Sequence, residues 1–205
     1  MKNKGNNSQQ KSFFEITKLN HLEFLSHLPN KKNIILDFGC GNGVFQKKFC
    51  SKKIKLIKMY DKNKMLKSQI KKKYEKNSFI NWTPSLSVSY NIVLINSTIQ
   101  YLTLTSFKSL MSYFFKKKVD MIIISDIPKY PFYLEAFLCI FINLRRILIS
   151  LKYLFQKQYN FYYYKNVKSL NIKNPNYTCK IYKNINEDKL LRYTLIFRKN
   201  TSRKN

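Results

Sequence analysis

Three of the chain's four glycines, Gly39, Gly41 and Gly43, stand at alternate positions directly after Asp37-Phe38. Glycine is required where φ is positive or where a ligand must come close to the backbone. The apolar run Ile34-Ile35-Leu36 precedes this loop, and Val44-Phe45 opens an apolar helical pattern after it. A strand, a glycine turn and a helix N-terminus together make a site for a nucleotide-like ligand. A second carboxylate, Asp61, ends the next apolar run, Ile54 to Tyr60. A carboxylate at that distance from a glycine loop can accept from both hydroxyls of a ribose at once. Asp61 also precedes Met65, Leu66, Ile70 and Tyr74 at helical spacing, so it reads as a helix cap as well. The two roles are compatible. Further along, Asn96-Ser97 ends the run from Tyr90, with Gln100-Tyr101 just beyond, and Asp126 follows Met121 to Ser125. Ligands of an open parallel sheet bind outside the carboxyl ends of its strands, so these residues fall at the same site. Asp126 is the topological candidate for a general base, and Tyr101 is the second candidate for a catalytic role.

These residues need strands and helices alternating along the chain, which implies an α/β fold with a mostly parallel sheet. Ser12-Phe13-Phe14-Glu15 has the spacing of a capping box, and Ile16, Leu19, Leu22 and Leu25 continue at helical spacing. The first strand and glycine loop follow, then a short helix to about Cys50. The second strand closes a βαβ unit, and Phe79-Ile80 makes a short third strand before Asn81-Trp82. The next helix starts at Thr105-Ser106 and carries Phe107, Leu110, Met111 and Phe114 on one face. Residues 131–155 have an apolar stripe at spacings of three and four. That stripe is read as a helix covering the sheet, with a lid or a membrane-surface helix as the alternative. An aromatic, basic stretch centred on Tyr162-Tyr163-Tyr164 follows, and it could shape an acceptor site. Thr178 to Lys183 and Leu190 to Arg198 alternate as two strands around a turn at Asn184 to Asp188. The expected organisation is a basic tail over 1–11, one domain over 12–198 and a loose tail over 199–205.

Asp37-Phe38-Gly39-Cys40-Gly41-Asn42-Gly43 resembles motif I of the class I S-adenosylmethionine-dependent methyltransferases, an acidic residue, an apolar residue and Gly-x-Gly-x-Gly. A dinucleotide fingerprint instead has glycine at the sixth place, where this chain has Val44. The run Tyr90 to Ser97 with Thr98-Ile99-Gln100-Tyr101-Leu102 resembles the same family's fourth strand and the segment after it. The resemblance spans about residues 30–198. It implies a Rossmann-like seven-stranded sheet, mostly parallel, with helices on both faces and a C-terminal antiparallel strand pair. It implies S-adenosylmethionine as cofactor, contacted by Asp37, Gly39, Cys40, Gly41, Gly43, Asp61, Lys62, Asn81, Trp82, Asn96 and Ser97. Asp37 would orient the loop and the cofactor's ammonium group, Asp61 would hold the ribose, and Asn81 and Trp82 would meet the adenine. The activity implied is methyl transfer to a small-molecule or glycan acceptor. The alternatives are an RNA or polyanion methyltransferase and a cofactor-binding but inactive partner subunit. A nicotinamide oxidoreductase is disfavoured by Val44.

The formal net charge is +29 over 205 residues. One reading is a nucleic-acid or anionic-membrane partner. The other is compositional drift, since lysine far outweighs arginine and basic residues occur in every segment; this second reading is preferred. The four cysteines lack metal-ligand spacing, and no metal is expected. His21 and His27, the only histidines, are six residues apart and read as ordinary polar positions. No apolar run reaches about 18 residues and no signal peptide is read, so the expected setting is cytoplasmic.

Overall fold

The computed structural model describes residues 25–43, 52–128, 170–183 and 192–200, with the side chains of Gln100, Pro128, Lys183 and Arg192 left aside. The expected capping box at 12–15, the helix after the glycine loop, the stripe over 131–155, the tyrosine cluster and the turn at 184–188 lie outside the described residues.

Seven strands form one sheet: β1 (Asn33–Phe38), β2 (Ile54–Tyr60), β3 (Ile80–Trp82), β4 (Ile92–Asn96), β5 (Met121–Pro128), β6 (Tyr177–Lys183) and β7 (Arg192–Lys199). Their order is β3-β2-β1-β4-β5-β7-β6, with β1 to β5 parallel and β7 antiparallel to both β5 and β6. The chain therefore moves outward from β1 to β3 and then returns to lay β4 on β1's other side. That reversal puts the carboxyl ends of β1 and β4 side by side, where such sheets bind ligands.

The strands at the centre are apolar on both faces because both faces are covered. Ile92, Val93, Leu94 and Ile95 of β4 are all fully buried. Each such side chain contributes about 1.5–3 kcal/mol relative to exposure. Two helices lie on opposite faces. Helix α1 (Leu66–Lys73) seats Ile70, with Tyr74 just beyond its end, against Ile57, Met59 and Ile80. Helix α2 (Leu104–Lys116) seats Phe107, Met111 and Phe114 against Val93, Ile95 and Ile124.

The amino ends of β1, β4 and β5 are closed by polar contacts. Asn91 accepts from the Ile34 N–H at 2.7 Å and donates to Asn33 and Asp120. Lys31 pairs with Asp120 at 2.6 Å. Burial pushes the Asp120 carboxyl up, but the hydrogen bonds from Lys31 and Asn91 outweigh it and hold the group below its ordinary value.

Several local expectations are corrected. Helix α2 is capped by Thr103, whose hydroxyl accepts from the Ser106 N–H, so the cap stands two residues before Thr105-Ser106. Asp61 is no helix cap: α1 begins only at Leu66, and Met65 is exposed. Strand β3 starts at Ile80, which leaves Phe79 outside it with an exposed ring. β5 runs past Ser125 to Pro128, with one extra residue between Ile124 and Ile127 against β7. Such a bulge re-aims a side chain without ending the strand. Residues 199 and 200 belong to the sheet end rather than a loose tail, since their N–H groups donate to Asp120 and Asn176. His27 packs on the Tyr182 ring, 4.6 Å between centroids, and burial followed by the Arg198 charge lowers its pKa.

Candidate functional site

The glycine loop leaves β1 at Phe38 and turns through three left-handed residues, Gly39 (φ 74°), Gly41 (φ 54°) and Gly43 (φ 66°). A side chain at such φ costs roughly 1–2 kcal/mol, which accounts for the clustering of glycine here. Gly39 has a second reason: a Cβ there would lie 2.4 Å from the Thr98 side chain. Thr98 fills that space with its hydroxyl 3.2 Å from the Gly39 carbonyl and 2.9 Å from that of Asn96. Gly41 differs, because a Cβ there would meet nothing within 4 Å. The loop therefore closes against β4 at Gly39 and opens to space at Gly41.

Asp61 sits just past β2 and ties this loop down. One carboxylate oxygen accepts from the Gly41 N–H at 3.0 Å and the other from the Asn63 N–H at 2.8 Å. The Tyr60 carbonyl accepts from both the Gly39 and Cys40 N–H groups. From α1, Lys73 donates to the Asn42 carbonyl at 2.8 Å and the Tyr74 hydroxyl donates to the Gly43 carbonyl.

Under the loop lies Asp37, only 2 % exposed. Its Oδ2 is buried without a hydrogen-bond partner among the described residues. Burial, with the Asp61 charge second, pushes its pKa up to about 8. The Cys40 thiol is pushed far up by burial and by the same two carboxylates, so it is an inert thiol.

The tips of β4 and β5 carry two cross-strand polar pairs. Ser125 donates to the Asn96 side chain at 2.6 Å, and Ser97 donates to the Asp126 carboxylate. Ser97 (φ 52°) and Asp126 (φ 60°) are both left-handed without being glycine. Strain of this kind persists where the surrounding structure fixes it and clusters at functional sites. The bulge in β5 is what brings Asp126 to Ser97.

The fold thus brings Asp37, the glycine loop, Asp61, Asn96, Ser97 and Asp126 to the carboxyl ends of adjoining strands. Tyr101 ends a short 3-10 turn (Ile99–Tyr101) and is exposed. Lys62 is exposed beside Asp61. Asn81 and Trp82 line a groove of about 740 Å³ between α1 and β3, together with Lys71, Lys72, Asn77 and Ser78. Sequence reasoning does not single out Thr98, Lys73 or Tyr74 as site residues. Their roles depend on which side chain the fold lays against the loop, and only the small residue needed at position 39 hints at one of them.

No protein-family model matches the sequence, and no curated protein does. Solved structures do match in fold. The methyltransferase domain of bacterial CtHen1-C superposes with a TM-score of 0.61 at 14% identity, over 92% of this chain and 100% of that one. The N-methyltransferase NodS from Bradyrhizobium japonicum WM9 gives 0.59 at 14%, over 92% and 97%. Magnesium protoporphyrin IX methyltransferase (ChlM) from Synechocystis PCC 6803 with bound SAH gives 0.60 at 13%, over 92% and 84%. The fold is that of the class I S-adenosylmethionine-dependent methyltransferases.

Proposed function

We propose that this chain is an S-adenosylmethionine-dependent methyltransferase. The observation that carries the reading is the buried Asp37 carboxyl, unpartnered at Oδ2, beneath a loop of three left-handed glycines. The residues present fit the cofactor. Open space at Gly41 would admit its methionine end against the backbone. Asp37 would answer its ammonium group, whose positive charge would favour the ionised carboxylate once bound, and Asp61, which keeps unused lone pairs on both oxygens, would accept from the ribose hydroxyls. Asn81 and Trp82 would meet the adenine, with Cys40, Lys62, Asn96 and Ser97 around the same cofactor.

When bound, the sulfonium supplies an activated methyl group for in-line displacement by an acceptor lone pair. The chain's own work is position and charge. Asp61 holds the glycine loop in place before any ligand arrives. Ser97 holds the Asp126 carboxylate at the strand tips, where it would take the proton of a hydroxyl or amine acceptor. Tyr101 is the second candidate on the acceptor side. The acceptor proposed is a small molecule or glycan unit. One structural neighbour is a magnesium protoporphyrin IX methyltransferase and another an N-methyltransferase, so this fold admits unlike acceptors.

The test is release of S-adenosylhomocysteine from S-adenosylmethionine in the presence of small-molecule and glycan pools. Turnover should depend on an added pool, and Asp126→Asn should lower kcat about 10²–10⁴-fold with cofactor affinity unchanged. Cofactor binding without turnover on any pool would favour the inactive partner subunit. Equal kcat in Asp126→Asn would remove the base role.

A further inference from the structure

Two consecutive described segments differ in charge. Residues 52–76, which form β2, α1 and the turns around them, carry eleven lysines against Asp61 and Glu75. The next segment, 77–128, is twice as long and carries four lysines against two aspartates. Asp61 is turned inward to the glycine loop. Residues 52–76 are thus a basic stretch within a chain whose other segments also carry basic residues, and its α1 part lies beside the β3-β2 edge of the sheet.

Helix α1 faces that edge with Lys67, Lys71 and Lys72 exposed. Its apolar residue Ile70 points into the core. Beside it runs the groove of about 740 Å³, with Lys71 and Lys72 on one wall and Asn77, Ser78 and Asn81 on the other. Glu75 is the one carboxylate among its described lining residues. Phe79, placed between the groove residues Ser78 and Ile80, is 57% exposed.

We propose that the α1–β3 face is a docking track for single-stranded nucleic acid. Proteins that hold single strands combine a positively charged groove for the backbone with aromatic rings on which bases stack. Lys67, Lys71 and Lys72 supply the charge, Phe79 the ring, and Asn77 an amide that can meet base edges. A bilayer is the poorer occupant. Membrane-surface helices present an apolar face outward, whereas α1 turns Ile70 inward and leaves Lys67, Lys71 and Lys72 exposed. The track adds to the methyl-transfer reading and stands without it.

The experiment uses the whole chain and fluorescence anisotropy with labelled single-stranded oligo-U RNA and oligo-dT DNA across a salt series. Lys67→Gln/Lys71→Gln/Lys72→Gln is compared with Lys108→Gln/Lys116→Gln/Lys118→Gln, which removes the same charge from α2 and its C-terminal end on the other face. Melting curves confirm that both are folded. The α1 triple should weaken binding at least tenfold and lower the salt slope by about 2, since each phosphate contact on a single strand contributes about 0.7. The α2 triple should change affinity less than threefold. Phe79→Ser should weaken binding roughly five- to a hundredfold, the range for losing one stacked base. Equal losses in the two triples would reduce the effect to bulk charge and overturn the track. So would retention on phosphatidylserine vesicles with no oligonucleotide binding. Cofactor calorimetry on the same samples separates this outcome from failure of the methyltransferase reading.

Discussion

Replacing Asp37 by asparagine should change how stability depends on pH. The carboxyl is buried and its pKa is raised to about 8, first by burial and then by the Asp61 charge. The native protein therefore keeps a proton that the unfolded chain releases near pH 4. Between about pH 4 and pH 8 the native state binds more protons than the unfolded one, so stability falls as pH rises through that window. Each unit corresponds to about 1.36 kcal/mol, which gives at most ~4 kcal/mol between pH 4 and pH 7. The amide of the variant cannot titrate. Urea unfolding of both proteins from pH 5 to pH 8 provides the comparison, because every other titrating group cancels in the difference. The wild type should lose stability relative to Asp37→Asn steadily up to pH 8, and the gap should then level. A constant offset from the buried amide is expected and carries no information. Parallel pH curves would show that Asp37 is ionised in the native protein and would refute its assignment as a neutral buried acid.

Asp61→Ala should weaken cofactor affinity roughly ten- to a hundredfold, since charge-assisted hydrogen bonds contribute about 1.5–3 kcal/mol, and calorimetry reads this directly. The same variant should stay folded, because Asp61 anchors a loop and caps no helix. Gly39→Ala should destabilise by more than the roughly 1–2 kcal/mol of its left-handed backbone, because its methyl would also meet Thr98. Adding Thr98→Ala should recover part of that loss in a double-mutant cycle. Thr103→Ala should lower stability by about 1 kcal/mol, the usual cost of a lost N-cap, with cofactor affinity unchanged.

The sheet was legible because its central strands are plain in the sequence. Ile34 to Leu36 and Ile92 to Ile95 are apolar on both faces and are followed by the polar residues Asp37 and Asn96, which is what burial between two helix layers requires. The glycine loop was legible because only glycine tolerates its backbone. What the sequence hid depends on distant partners. Nothing local marks Thr98 as the side chain that fills the space at Gly39, or Tyr74 and Lys73 as donors to the loop carbonyls. Asp61 reads from the sequence as free to bind a ribose, yet both its oxygens already accept backbone N–H groups. The left-handed Asp126 arises from a bulge against β7, some seventy residues later in the chain, and strand propensity alone ends β5 too early. Cap placement erred in the ordinary way: Thr103 and Thr105 are equivalent as residue types, and only the bond to the Ser106 N–H separates them.

The most direct test of the cofactor site is calorimetric titration of the whole protein with S-adenosylhomocysteine and, separately, with NAD. One-to-one binding of S-adenosylhomocysteine and none of NAD is the expected result. Tighter binding of NAD, or no binding of either by a folded sample, would contradict it.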